Sequence, residues 1–72
     1  MFGKNIKRIE FNFSETASEI EVKCEMFNGS KITRWFPQGV ARDMANDCRL
    51  SSKLHGVKSD RPLQVVYEGR EE

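Results

Sequence analysis

The sequence predicts a small α+β domain of order βββαβ, in which one helix packs on one face of a mostly antiparallel four-stranded sheet. Apolar residues alternate with polar ones in three segments before residue 37, recur at helical spacing in the next segment, and alternate again near residue 65. A period of two is typical of half-buried strands, and a period near 3.6 of an amphipathic helix. The 72 residues predict a single domain over 1–72, with a loose acidic tail over 69–72.

A first strand is predicted over residues 5–13. Ile9, Phe11 and Phe13 share one face of this segment, and polar residues lie between them. Ile6 is out of phase with this alternation, so the strand either starts later or carries a β-bulge.

A β-hairpin over residues 19–36 is the clearest element of the sequence. Over 19–26 every second residue is apolar and the residues between are charged, which predicts a half-buried strand. The Asn28-Gly29 pair indicates a tight turn, because both residues tolerate a positive φ. The third strand of the meander follows this turn.

The side chains favour a three-residue hairpin loop that ends at Gly29. A two-residue loop would set Glu25 opposite Ile32 and mix apolar and charged side chains on both faces. The longer loop sets Cys24 opposite Ile32 and Glu25 opposite Lys31. Apolar residues then share one face and opposite charges meet across the strands, which stabilises the pairing.

Pro37 predicts the end of the third strand and the start of a helix. The apolar residues that recur at helical spacing after it are Val40, Ala41, Met44, Ala45 and Cys48. The helix ends near Leu50, or frays as far as Leu54 before Gly56 stops it. We expect this stripe to form the core with the first two strands, so that Val40, Met44 and Cys48 pack on Ile9, Phe11, Val22 and Cys24.

The last strand is predicted after a turn at residues 59–62, because Leu63, Val65 and Tyr67 alternate with polar residues. It leaves the helix in the same direction as the first and third strands. We expect it beside the first strand, in the order 3-2-1-4. Pairing beside the third strand is the alternative.

The charge and cysteine content predict a cytoplasmic, reduced protein. The net charge of +1 gives no overall field that favours nucleic acid binding or mimicry of nucleic acid. No apolar run approaches the about 18–20 residues of a membrane span. Lys4, Lys7 and Arg8 interrupt any signal-peptide core. Two distant cysteines without a secretion signal indicate thiols rather than a disulfide.

No motif in the sequence indicates catalysis, so we expect a protein that is not an enzyme. The soft metal ligands are Cys24, Cys48 and His55, whereas a structural zinc site normally takes four ligands. Both cysteines belong to apolar stripes, where a thiol behaves as a small buried hydrophobe. We therefore expect no metal, no cofactor and no obligatory disulfide.

Trp35 is the most informative residue for function. The preferred hairpin register turns it away from the helix, which leaves a large aromatic side chain on the other face of the sheet. Exposed tryptophan beside charged residues is typical of a binding hot spot. The candidate protein-binding residues are Trp35, Phe27, Lys23, Lys31 and Thr33. In the alternative interpretation, Trp35 packs under the amino-terminal segment or the tail.

A nucleic-acid-binding function is the alternative. Residues 31–61 hold seven basic side chains against three acidic ones, which could follow a phosphate backbone. Trp35 could then stack on a base. The candidate residues are Arg34, Arg42, Arg49, Lys53 and Lys58. A solvated surface with interspersed acids explains the same residues, and we favour it.

In size and layout the chain is similar to many small phage-encoded accessory proteins and inhibitors of host machinery. This resemblance rests on no motif and transfers no residue. It transfers no mechanism either. From the residues themselves we expect a non-enzymatic module that covers the surface of a partner protein, either as a single chain or as a homodimer.

Overall fold

The computed structural model describes residues 5–70 as a five-stranded antiparallel sheet with one helix. The elements are β1 (Ile6–Asn12), β2 (Glu19–Met26), β3 (Lys31–Pro37), α1 (Gln38–Leu50), β4 (Leu54–Val57) and β5 (Gln64–Gly69). The strand order is β3-β2-β1-β5-β4, and each neighbouring pair is antiparallel. The predicted fold class is therefore right, but the sheet has one strand more than predicted.

The predicted hairpin register is confirmed. Cys24 pairs with Ile32 and Glu25 with Lys31. The Gly29 amide donates to the Met26 carbonyl at 3.0 Å, and Gly29 has a φ of 91°. This left-handed conformation favours glycine and lets a three-residue loop close the hairpin.

The irregular phase of Ile6 comes from a β-bulge in β1. The pairing of β1 with β2 shifts between Ile6 and Arg8. An extra residue at this point turns Ile6 back to the helix-covered face, where only 6% of its surface is exposed. Ile6 therefore belongs to the core.

The helix begins directly after Pro37, as predicted, and ends at Leu50. Its buried residues are Ala41, Ala45 and Cys48, while Met44 is half-buried against the core. The prediction that Val40 packs on the sheet is wrong, since 45% of its surface is exposed. The buried stripe runs along positions 41, 45 and 48, and Val40 falls at its margin.

The extra strand, β4, replaces the predicted frayed end of the helix. Ser51 already has an extended backbone, with ψ at 134°, and Leu54 pairs with Gly69 of β5. Because β4 reverses the chain once more, β5 runs antiparallel to β1. The predicted place of the last strand beside the first is confirmed, whereas its predicted direction is wrong.

Both ends of the predicted last strand are shifted along the chain. Leu63 precedes β5 with a φ of 61° and is half exposed, so it ends the preceding turn. Gly69, predicted as the first tail residue, is the last residue of β5. Glu71 and Glu72 of the predicted tail lie outside the described residues.

The core lies between α1 and one face of the sheet. Phe11 of the central strand β1 and Cys48 of α1 have no exposed surface, and Ile9 exposes 2%. The Phe11 ring meets Tyr67 of β5 edge-on, with ring centroids 6.4 Å apart. Leu54, from the unpredicted β4, also belongs to this cluster.

We expect Ile9→Val to lower the free energy of unfolding by about 0.5–1.5 kcal/mol, because it removes a buried methyl group and leaves a small cavity. Urea unfolding measures this loss. Val40→Ala is the matched control, and its effect should stay within about 0.5 kcal/mol, as for exposed sites generally. A larger loss for Val40→Ala than for Ile9→Val would contradict this core.

We expect Gly69→Ala to destabilise the domain by about 1–3 kcal/mol, as overpacking does elsewhere. A Cβ at this position would overlap the Ile6 carbonyl oxygen, which is backbone in the bulge and cannot rotate away. Gly39→Ala is the control, because a Cβ there meets no atom within 4 Å. It should stabilise the helix by up to about 1 kcal/mol. Thermal unfolding of both variants tests this, and equal shifts would contradict it.

Candidate protein-binding surface

The sheet face that points away from α1, called here the open face, carries Trp35. In antiparallel pairs, opposite residues share a face, and Trp35 lies opposite Glu21 of β2. Ile20 and Val22, the neighbours of Glu21 along β2, are buried under the helix. Alternation along β2 and β3 therefore puts Trp35 on the open face, as predicted, and 58% of its surface is exposed.

Three other predicted contact residues lie on the same face as Trp35. Lys31 and Thr33 precede it along β3, and Lys23 of β2 pairs with Thr33. All four side chains are exposed. We call Lys23, Lys31, Thr33 and Trp35 the Trp35 patch.

Ion pairs along β2 hold the acidic neighbours of this patch. The Lys23 Nζ lies 3.7 Å from Glu21 Oε1, and the Lys7 Nζ lies 3.7 Å from Glu25 Oε2. Glu25 is also the cross-strand partner of Lys31. Because these side chains are at least partly exposed, each ion pair contributes at most about 1 kcal/mol to stability. The pairs therefore position the charged side chains but leave the surface exposed.

Phe27, the fifth predicted contact residue, occupies the first position of the hairpin loop. It is half-buried, and its amide donates to the Asn5 carbonyl at 2.9 Å. The loop therefore bends towards the start of β1, and the structure does not place Phe27 within the exposed patch.

The open face over β1 and β5 is closed by its own hydrogen bonds. Asn12 is at the centre: its amide nitrogen donates to Glu10 Oε2 at 2.9 Å and to Glu21 Oε1 at 3.2 Å. The Gln64 amide donates to Asn12 Oδ1 at 2.9 Å, and Ser59 donates in turn to Gln64. These half-buried groups satisfy one another. This part of the face therefore offers few free groups to a partner.

A loop borders the same closed part of the open face. Asp60 and Arg61, from the segment between β4 and β5, line a cleft of about 300 Å³ together with Arg8, Glu10, Lys23 and Gln64. Val66 lies on this face between Glu10 and Val57, yet only 3% of its surface is exposed. Ile6 faces the core and Val66 is covered, so neither adds an exposed apolar side chain to the open face.

The five basic residues proposed for nucleic acid are exposed and come from different parts of the fold. Arg34 lies on β3, Arg42 and Arg49 on α1, and Lys53 and Lys58 flank β4 on its two sides. The guanidinium of Arg49 donates to Asn46 Oδ1 at 3.1 Å. The five residues therefore lie on two elements, β3 and α1, and in the segments on either side of β4.

Sequence reasoning missed an amphipathic cleft at the amino-terminal end of α1. Its volume is about 430 Å³, and Phe13, Leu63 and Val65 form its apolar side. Gln38 fixes its rim, since its side chain donates to the Ser14 carbonyl at 3.0 Å. Phe13 and Val65 belong to alternating apolar patterns, so the sequence indicates these two residues. The cleft also needs the left-handed turn at Leu63, and the sequence has no glycine there to indicate it.

The two cysteines lie in apolar surroundings. Both are free thiols; Cys48 is buried and Cys24 half-buried. Burial raises the pKa of the Cys48 thiol to about 12, and the negative charge of Asp47 adds to this rise. Burial also raises the pKa of Cys24 and of Tyr67. Over residues 5–70, the structure brings no three His, Cys, Asp or Glu side chains together as a metal site would require.

Comparison of the chain with protein-family models, curated proteins and solved structures gives no match. Within the described residues, no helix has the length and apolar character needed to cross a membrane.

We expect stability to fall above about pH 8.5, the pKa of an unperturbed thiol. The folded chain holds the Cys48 proton more tightly than the unfolded chain. The neutral thiol therefore makes its whole contribution to the free energy of unfolding below that pH. This contribution is lost as the pH rises towards 12, by up to about 1.4 kcal/mol per pH unit. Urea unfolding in reductant between about pH 7 and 11 measures the slope. Cys48→Ala should make the slope shallower and leave the contributions of Cys24 and Tyr67. Equal slopes in both proteins would contradict the assignment.

Proposed function

We propose that this protein is a non-enzymatic protein-binding module and that the Trp35 patch is its contact surface. One observation carries the proposal: the largest exposed aromatic side chain lies where the open face is not closed by internal hydrogen bonds. Trp35 exposes 58% of its surface, whereas the neighbouring part of the face is occupied by the network around Asn12.

The composition of the patch suits a protein partner. Tryptophan is among the side chains most enriched at binding hot spots, because it buries a large area with little loss of rotamer freedom. Leaving it in water sacrifices about 25 cal/mol for each Å² of apolar surface that a partner could cover. Lys23, Lys31 and Thr33 extend from it along one side of the same face and supply polar groups, as part of an interface rim does.

The shape of the surface also favours a broad contact over a small ligand. A depression of about 330 Å³ beside the patch is lined by residues of β1, β2 and β3 only, including Lys23, Lys31 and Thr33. It is therefore a hollow in one sheet surface rather than a cleft between elements. Small-molecule sites usually enclose most of their ligand, whereas protein interfaces are flatter.

We expect Trp35→Ala to weaken partner binding by about 2–4 kcal/mol, the loss typical of a central aromatic anchor. Its effect on the free energy of unfolding should stay within about 0.5 kcal/mol, as at other exposed positions. The measurement is retention of proteins from nuclease-treated native lysate by the immobilised wild type and variants, followed by titration of the retained protein.

Leu50→Ala is the matched control for this experiment, because Leu50 is 69% exposed but lies at the end of α1. It should retain the same proteins as the wild type. Unchanged binding by folded Trp35→Ala would overturn the proposal, as would equal losses for both variants.

Salt dependence distinguishes this function from nucleic-acid binding. An apolar contact should change little between about 50 mM and about 500 mM salt, whereas binding to phosphates weakens steeply. Joint substitution of Arg42 and Arg49 with alanine should leave protein binding unchanged. Loss of binding in that variant together with a steep salt dependence would support nucleic acid instead.

A further inference from the structure

The free edge of β3 offers unpaired backbone groups. β3 pairs with β2 on one side, and no other described strand pairs with its outer side. Every residue of β3 except Phe36 is exposed. The pairing with β2 has no shift in register, so the edge lacks the bulge that often protects such strands.

The hairpin shows which backbone groups point outwards. The Met26 amide donates to the Ser30 carbonyl at 2.8 Å, which makes this pair hydrogen-bonded. Hydrogen-bonded and non-hydrogen-bonded pairs alternate in an antiparallel ladder. The amides and carbonyls of Lys31, Thr33 and Trp35 therefore point away from β2, towards the free edge.

We propose that β3 pairs with β3 of a second copy of this chain, antiparallel about a twofold axis at Thr33. The two five-stranded sheets would then form one continuous sheet. This inference rests on the proposed function, since it uses the Trp35 patch and names the partner as a second copy.

Self-complementarity of the edge supports this occupant. With the axis at Thr33, the two threonines face each other, and Lys31 lies opposite Trp35 of the second copy. All outward amides and carbonyls of these residues then have partners. A lysine ammonium over a tryptophan ring is attractive, and paired threonines are favourable across strands.

On the other face, the same register sets Ile32 opposite Arg34. Ile32 is 43% exposed in the single chain, and the aliphatic stem of an arginine can cover such a residue while its charge stays in water. The Arg34 guanidinium donates to the Thr33 carbonyl at 3.0 Å. That carbonyl still has a second lone pair for the amide of the other copy.

Neighbouring registers fit less well. Moving the twofold axis one residue along β3, to Arg34, sets Arg34 opposite Arg34 of the second copy. It also brings Lys31 opposite Pro37, which has no amide to donate. Moving the axis to Ile32 instead sets Trp35 opposite Gly29 of the second copy, which lies in the hairpin loop before β3 begins. Only the axis at Thr33 uses all the outward groups and avoids a like-charge pair.

Sedimentation velocity of the full chain tests the proposal, at concentrations from about 1 µM to about 1 mM, the range of weak dimers. We expect a reversible monomer–dimer equilibrium. Thr33→Pro should weaken it by at least about 10-fold, because it removes the central outward amides. The monomer should tolerate this change, since edge strands accept proline where the amide faces solvent. Thr33→Val keeps the amide and should keep the dimer.

Cysteine cross-linking in a Cys24→Ser background tests the register independently of that variant. Thr33→Cys should form a disulfide between copies on mild oxidation, because residues at a twofold axis lie within the about 4.4–6.8 Å Cα separation that a disulfide needs. Lys31→Cys is the control, since residue 31 of one copy lies four residues along the strand from residue 31 of the other, about 13 Å away.

A wild-type chain that stays monomeric at about 1 mM would overturn the dimer, as would cross-linking of Lys31→Cys but not Thr33→Cys. If that monomer still binds a foreign protein through Trp35, the proposed function survives and only the second copy is wrong. Normal dimerisation of Trp35→Ala, with all other binding unchanged, would instead contradict the proposed function and leave the strand pairing standing.

Discussion

A single helix has to cover a sheet of five strands, and this limit determines what each surface of the sheet must do. The buried stripe of α1 seals the centre of one face, over Phe11 and Ile9. The opposite face has no helix over it, and over β1 and β5 it carries a network of polar side chains around Asn12 beside the buried Val66. The edge strand β3 is covered on neither face over residues 31–35, since both Ile32 and Trp35 are exposed there, and only Phe36 near its end packs against the core.

Patterns within one hairpin were predictable because they depend on nearest neighbours. Setting Cys24 opposite Ile32 puts apolar residues on one face and so fixes the loop length. The alternation of side chains along β3 then turns Trp35 to the open face. The position of Pro37 similarly predicts where β3 gives way to α1. These inferences need only strand geometry and the chemistry of adjacent side chains, so they hold without knowledge of the rest of the fold.

Other features depend on parts of the chain that the sequence does not visibly connect. The segment Leu54–Val57 has too little alternation to predict a strand, since His55 and Gly56 lie between its two apolar residues. Its pairing with β5 forms it, and the direction of β5 follows. The hydrogen bond between Gln64 and Asn12 joins residues 52 positions apart. They meet because β5 runs antiparallel to β1 and sets Gln64 opposite Asn12. The sequence predicted the other strand direction, so the closed part of the open face was not predictable.

The central place of β1 has a consequence for synthesis of the chain. β1 gains its second neighbour only when β5 exists, 52 residues after Asn12, which at about 5–20 residues per second is a delay of roughly 3–10 s. During that time β1, β2 and β3 can form a meander, but it has two free edges and an uncovered apolar face. We expect this nascent form to be the species most prone to aggregation and most dependent on chaperones.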